Sequence, residues 1–218
     1  MTAARDGIDA VLRDRGLRRS TPEHTARSLL LGAAASATLE GDPVEADDLA
    51  AGAGGPTARA SLQLSGQLLG LMTTWERAPV QAIARIHALA AAGSVRAESL
   101  GRPANPEGVA RLGALAQDLS RPTEAPALVV AALVHAEILA ARAFGSHDGV
   151  VARAAERLVL VSRGIDPASV TVPEAAHAVS PRGYAQNVGE YLEGGTHAWL
   201  LYAAEAYTRA AELSPVAR

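Results

Sequence analysis

The 218-residue chain has no cysteine, which excludes disulfides, thiolate nucleophiles and cysteine-ligated metals. It has no lysine either: all 20 of its basic residues are arginine. That removes the phosphate-gripping lysine of a P-loop, and Schiff-base or pyridoxal chemistry on this chain. Aromatic residues are scarce, at 3% with a single phenylalanine, while apolar residues make up 49%. The core must therefore be built from Ala, Leu and Val, a composition that favours helix. The net charge of −3 gives no reason to expect a nucleic-acid surface. The opening stretch, "MTAARDGIDAVLRDRG", is charged and lacks the apolar region of a signal peptide. The longest apolar run, 125–144, has His135 and Glu137 in its middle. Such groups are costly in lipid, so the run predicts a buried central helix and no membrane span. A cytoplasmic protein is expected, and the Arg, Ala and Gly bias without Lys points to a GC-rich bacterial genome.

What is present reads as helix nearly throughout. "TPEHTARSLLLGAAASATLEG" has Thr21 to cap, Pro22 for the first helical position and Gly41 to end it. A short helix capped by Asp42 should follow, stopped by the Gly-rich turn at 52–56. "TARASLQLSGQLLGLMTTWER" and "APVQAIARIHALAAAG" read as two packed helices. Residues 93–106, "GSVRAESLGRPANP", are polar and rich in Gly and Pro, a loop or small hairpin. Helical patterning resumes from Pro106, through the 125–143 run, to "GVVARAAERLVLVSRG" and three closing segments separated by Pro and Gly. The class is all-α and the length suits one compact domain. It divides into N-terminal helices (1–56) and a helical core (57–218).

The residues most able to carry chemistry lie in "FGSHDG", 144–149, between two helices. Backbone N–H groups at a helix N-terminus attract anions, and glycines allow phosphate a close approach. Arg153, one turn inside, can return to that N-terminus. The same residues also suit a plain turn in which Asp148 caps the next helix. His147 and Asp148 are adjacent, and adjacent turn residues seldom converge on one proton or ion. The six histidines show no helical ligand spacing, so no metal site is expected. His87 and His135 fall inside helical patterns as core histidines.

The order of these features resembles the Fic (Fido-fold) family, which transfers AMP from ATP to protein hydroxyls. Its signature, H-P-F-x-(D/E)-G-N-G-R-x-x-R, is similar to "RAFGSHDGVVAR" at 142–153, with Phe144, Gly149 and Arg153 matching. A second family pattern, (S/T)-x-x-x-E-(G/N) of an inhibitory helix, resembles "SATLEG" through Ser36, Glu40 and Gly41. The resemblance spans roughly residues 20–213, one domain's worth. It implies a Fido-like helical bundle with a flap at 93–106 and an ion pair between Glu40 and Arg153. It also implies a nucleotide site at Gly145, Ser146, His147, Asp148, Gly149 and Arg153, with ATP and Mg²⁺ as the family's cofactors. Self-association and a protein partner are further family traits.

The departures fall on the chemistry. The family's general base is replaced by Arg142, whose guanidinium stays protonated at any working pH. The Mg²⁺-binding acid is replaced by Ser146, a weak neutral ligand. The Gly-Asn of the anion loop becomes His147-Asp148, and the phosphate-binding arginine becomes Val150. His147 is the one residue that could stand in as a base. Two functions from different classes follow: a degenerate Fic-like binding or regulatory module, a pseudoenzyme, or a nucleotidyl- or phosphoryl-transferase with altered residues, autoinhibited through Glu40 and Arg153.

Overall fold

In the computed structural model, residues 1–14 and 21–217 are described; residues 15–20 of the N-terminal span and residue 218 lie outside them. The described residues form helices joined by turns, with no strand among them. The elements are α1 (Thr2–Asp14), α2 (Pro22–Leu39), α3 (Ala46–Ala50), α4 (Pro56–Leu68), α5 (Met72–Arg77) and α6 (Pro79–Ala90). They continue with α7 (Pro106–Ser120), α8 (Ala127–Ala141), α9 (Asp148–Ser162), α10 (Pro173–Ala178), α11 (Pro181–Leu192) and α12 (Thr196–Glu212).

Two central helices, α8 and α9, pack along one another, and the others surround them. Helix α8 is apolar on nearly every face and buries Leu128, Ala131, Ala132, Val134, Ile138 and Ala141, the pattern of a fully enclosed helix. In α9 every residue from Val150 to Leu160 is buried, Arg153, Glu156 and Arg157 included. Because aromatics are few, small residues let the backbones come close. Trp199 of α12 is enclosed in the core and donates its indole N–H to the Ala132 carbonyl at 2.8 Å. Its 0% exposure requires such a partner.

Several local expectations are corrected. The segment 57–77 is not one helix: at Leu69–Leu71 it passes through a 3₁₀ turn around Gly70 before α5 begins. Glycine's low helix propensity places the break there. Asp42 does not cap α3, whose N-cap is Glu45. Its carboxylate instead accepts from the N–H groups of Gly55 and Ala58, at 3.0 and 2.9 Å, and so caps α4. The segment 93–106 is a loop with one 3₁₀ turn at Ala97–Ser99 and no hairpin. Helix α1, which the charged opening stretch did not suggest, packs against α12 through Ala4 and Ile8, each 1% exposed. No helix among the described residues is long and apolar enough to cross a membrane.

Candidate functional site

The loop between α8 and α9 turns on three left-handed residues: Arg142 (φ 42°), Gly145 (φ 70°) and His147 (φ 57°). Two of them carry side chains, for which this region is strained. The surrounding backbone holds them there. The Arg142 carbonyl accepts from Asn105 Nδ2 at 2.8 Å, and the Ala143 carbonyl accepts from the Ala104 N–H at 2.6 Å. Gly108, at the start of α7, lies so close to Ala143 and Ala141 that any side chain would strike their backbone. The tail of the 93–106 loop is thereby stitched to the α8–α9 turn.

Asp148 is not the N-cap of α9; that position is His147, and Asp148 is the first helical residue. Its carboxylate faces backward and accepts from the Phe144 N–H at 3.2 Å. Burial raises its pKa. Ser94 Oγ gives its hydrogen to the Ala91 carbonyl at 2.9 Å, so at 3.2 Å it receives one from His147 Nε2. The other ring nitrogen, Nδ1, is buried without a partner, and burial lowers the histidine's pKa. Arg142 is exposed, and Val150 is buried in the core.

His87 of α6, met in the sequence as a core histidine, also faces this loop. Its ring stacks on Phe144 with centroids 4.2 Å apart and planes within 7°. Nδ1 accepts from the Gly101 N–H at 3.0 Å, which leaves the ring hydrogen on Nε2, 3.5 Å from Ser146 Oγ. Burial, then the nearby His147, brings its pKa down to about 4. Together His87, Phe144, Gly145, Ser146, Arg96 and Arg102 line a cavity of ≈ 440 Å³ between the 93–106 loop and the turn.

Arg153 is 1% exposed and its donors are taken up by three residues. Nε donates to Ser36 Oγ at 3.0 Å, and Nη2 to the Ser36 carbonyl at 3.2 Å and to Glu40 Oε1 at 2.7 Å. Nη1 reaches the Tyr184 hydroxyl at 3.4 Å. The ion pair expected from "SATLEG" is thus formed, and the serine of that pattern takes part in it. Gly41, with φ 85°, ends α2 immediately after Glu40. The Glu40 carboxylate lies directly over Gly149, where a side chain on that residue would collide with it. A protein carboxylate therefore sits against the first turn of α9, where the positive end of the helix dipole favours an anion.

One turn further, Arg157 makes a two-pronged pair with Glu174: Nε to Oε1 at 2.8 Å and Nη2 to Oε2 at 2.5 Å. Its Nη1 donates to Ser28 Oγ, Ser169 Oγ and the Thr171 carbonyl. Behind both arginines lies a cluster absent from the sequence reading. His135, Glu156 and His177, each at 0% exposure, bring donor atoms within 4.8 Å of one another. They come from α8, α9 and α10 and share no short spacing, so only the fold could reveal them. Glu156 Oε2 receives His135 Nδ1 at 2.9 Å and His177 Nε2 at 3.1 Å. Burial pushes the Glu156 carboxyl up, but the two facing histidines outweigh it and hold the group well below its ordinary range.

No family sequence model matches the chain, and no curated protein does. The fold does match. A crystal structure of a Fic family protein from Desulfovibrio desulfuricans G20 superposes with a TM-score of 0.83 and 16% sequence identity. The match covers 97% of this chain and 71% of that one. The protein therefore has the Fic fold, all-α as its composition implied.

Proposed function

We propose that the protein is a Fic-fold module without AMP-transferase activity, acting by binding or regulation. The observation that carries this reading is the turn before α9, an ordered left-handed turn that lacks the residue types the resemblance requires for the reaction. Arg142 stands at the base position and cannot accept a proton. In this reading the turn does not fit Mg²⁺-ATP. Ser146, at the acid position, is directed toward His87, Asp148 is occupied by the Phe144 N–H, and the Glu40 carboxylate covers Gly149. A phosphate would meet that carboxylate before it met the helix N-terminus.

The transferase reading is favoured by one observation, the Glu40–Arg153 pair, because an autoinhibitory contact presupposes something to inhibit. Thermal unfolding of the wild type and of Glu40→Gly, with and without ATP and Mg²⁺, separates the two. Nucleotide at tenfold its Kd should add about 1.4 kcal/mol of stability. The module reading expects no shift at millimolar ATP for either protein and no transfer of label from α-³²P-ATP. Labelling of protein by Glu40→Gly alone would instead establish a repressed transferase. A protein partner, or a second copy of the chain, is the ligand class that a helical scaffold with a cavity beside its 93–106 loop suits best, and pull-down with and without that loop's Arg96 and Arg102 tests it.

A further inference from the structure

We infer that His135, Glu156 and His177 form a buried binding site for a single Zn²⁺-class ion, separate from the turn before α9. Each of the three side chains is held at both ends. His135 turns Nδ1 toward the shared centre, and its outward nitrogen, Nε2, lies 2.8 Å from the Tyr184 hydroxyl. His177 turns Nε2 inward, with Nδ1 2.9 Å from the Tyr202 hydroxyl. Glu156 turns Oε2 inward, while Oε1 accepts from the Tyr207 hydroxyl at 2.8 Å. Every residue thus offers one atom to the centre and has its other atom fixed by a tyrosine. Outer partners of this kind orient imidazole and carboxylate ligands around a metal.

The donor set and dimensions agree. Two imidazole nitrogens and one carboxylate oxygen suit Zn²⁺ and neighbouring first-row ions such as Fe²⁺, and disfavour Mg²⁺ and Ca²⁺, which take oxygen shells. Metal–ligand bonds of about 2.0–2.2 Å place tetrahedral ligands about 3.3–3.6 Å apart. The inward atoms stand at 2.9 and 3.1 Å from the shared oxygen, so small outward rotations of the two rings would admit the ion. The ion would replace the two hydrogens directed at Glu156. These would move to Nε2 of His135 and Nδ1 of His177, where the hydroxyls of Tyr184 and Tyr202 accept them. Trp199 packs on both rings, at centroid distances of 5.3 and 6.5 Å, and the three ligands are at 0% exposure. A site so enclosed would load as the chain folds.

The test uses the full-length protein, unfolded in denaturant and refolded with either ZnCl₂ or EDTA, then dialysed. About one zinc per chain and a higher Tm for the ZnCl₂ sample are expected. CoCl₂ refolding should give visible cobalt absorption bands that the EDTA sample lacks. His135→Asn and His177→Gln each keep an amide hydrogen-bonding group near the inward nitrogen but lose the imidazole ligand. They should bind less than about a tenth of the wild-type zinc. Because the wild type alone carries the measurement, a variant that fails to fold does not decide the outcome. Wild type with no retained zinc and an identical Tm in both samples would overturn the inference and leave a metal-free hydrogen-bond cluster.

Discussion

Arg153 and Arg157 are successive turns of one helix, both buried, yet they are held differently. Arg157 is paired with Glu174, whose side chain is 7% exposed, and the loop after α9 closes over it. Arg153 is paired with Glu40, the C-cap residue of α2, whose side chain is 27% exposed. Both are served by one face of α2. Ser28 takes Arg157, Gly32 makes room for Glu174, and Ser36 and Glu40 take Arg153. These positions are four residues apart, so they lie nearly in line along the helix. The difference lies at the ends of that line: Glu174 is enclosed with Arg157, whereas at the Arg153 end the Glu40 carboxylate reaches solvent. One pair is sealed and the other is open on one side.

The largest expected effect breaks the sealed end. Glu174→Ala leaves Arg157 buried without its counter-charge and should cost about 3–5 kcal/mol in denaturant unfolding. Glu40→Ala should cost less, about 1–2 kcal/mol, because solvent reaches the vacated position and Ser36 and Tyr184 still hold the guanidinium. Equal losses for the two would remove the distinction between the sealed and the open pair. Gly149→Ala comes next, since its methyl group would have to displace the Glu40 carboxylate. A cost of about 1 kcal/mol is expected in the wild type and much less in Glu40→Ala. Additive costs in the double mutant would show that the two positions do not touch. A pH dependence is expected at His87. Its folded pKa is lowered from the ordinary 6.5 to about 4, so the unfolded chain binds the proton more readily. Stability from this group is complete above pH 6.5 and lost as pH falls toward 4. His87→Asn, which keeps an acceptor for Gly101 and does not titrate there, should flatten the slope of Tm against pH in that window.

Much of the fold was legible because helix signals are local. Pro22, Pro56, Pro79, Pro106, Pro173 and Pro181 each open a helix, and the apolar run of α8 announced its burial. The Glu40–Arg153 pair was readable only through resemblance, because the two residues are 113 positions apart. Asp42 and Asp148 each bind an N–H other than that of the helix beginning beside them, for one physical reason. A short acidic side chain beside a helix can cap forward or reach across, and sequence does not show which N–H is nearer. The His135–Glu156–His177 cluster left no signal, since each residue sits singly on its own helix.

The stitching of Ala104 and Asn105 to Ala143 and Arg142 has a bearing on how such a protein could change over generations. Two of the bonds that hold the left-handed turn are donated to its backbone carbonyls by Ala104 and Asn105, outside residues 142–153. Side chains at 142, 146 and 150 take no part in those bonds, so substitutions there leave the frame in place. The shape of the turn is thereby uncoupled from the groups it presents. A lineage carrying this turn could change what it presents and keep its architecture, through side chains alone.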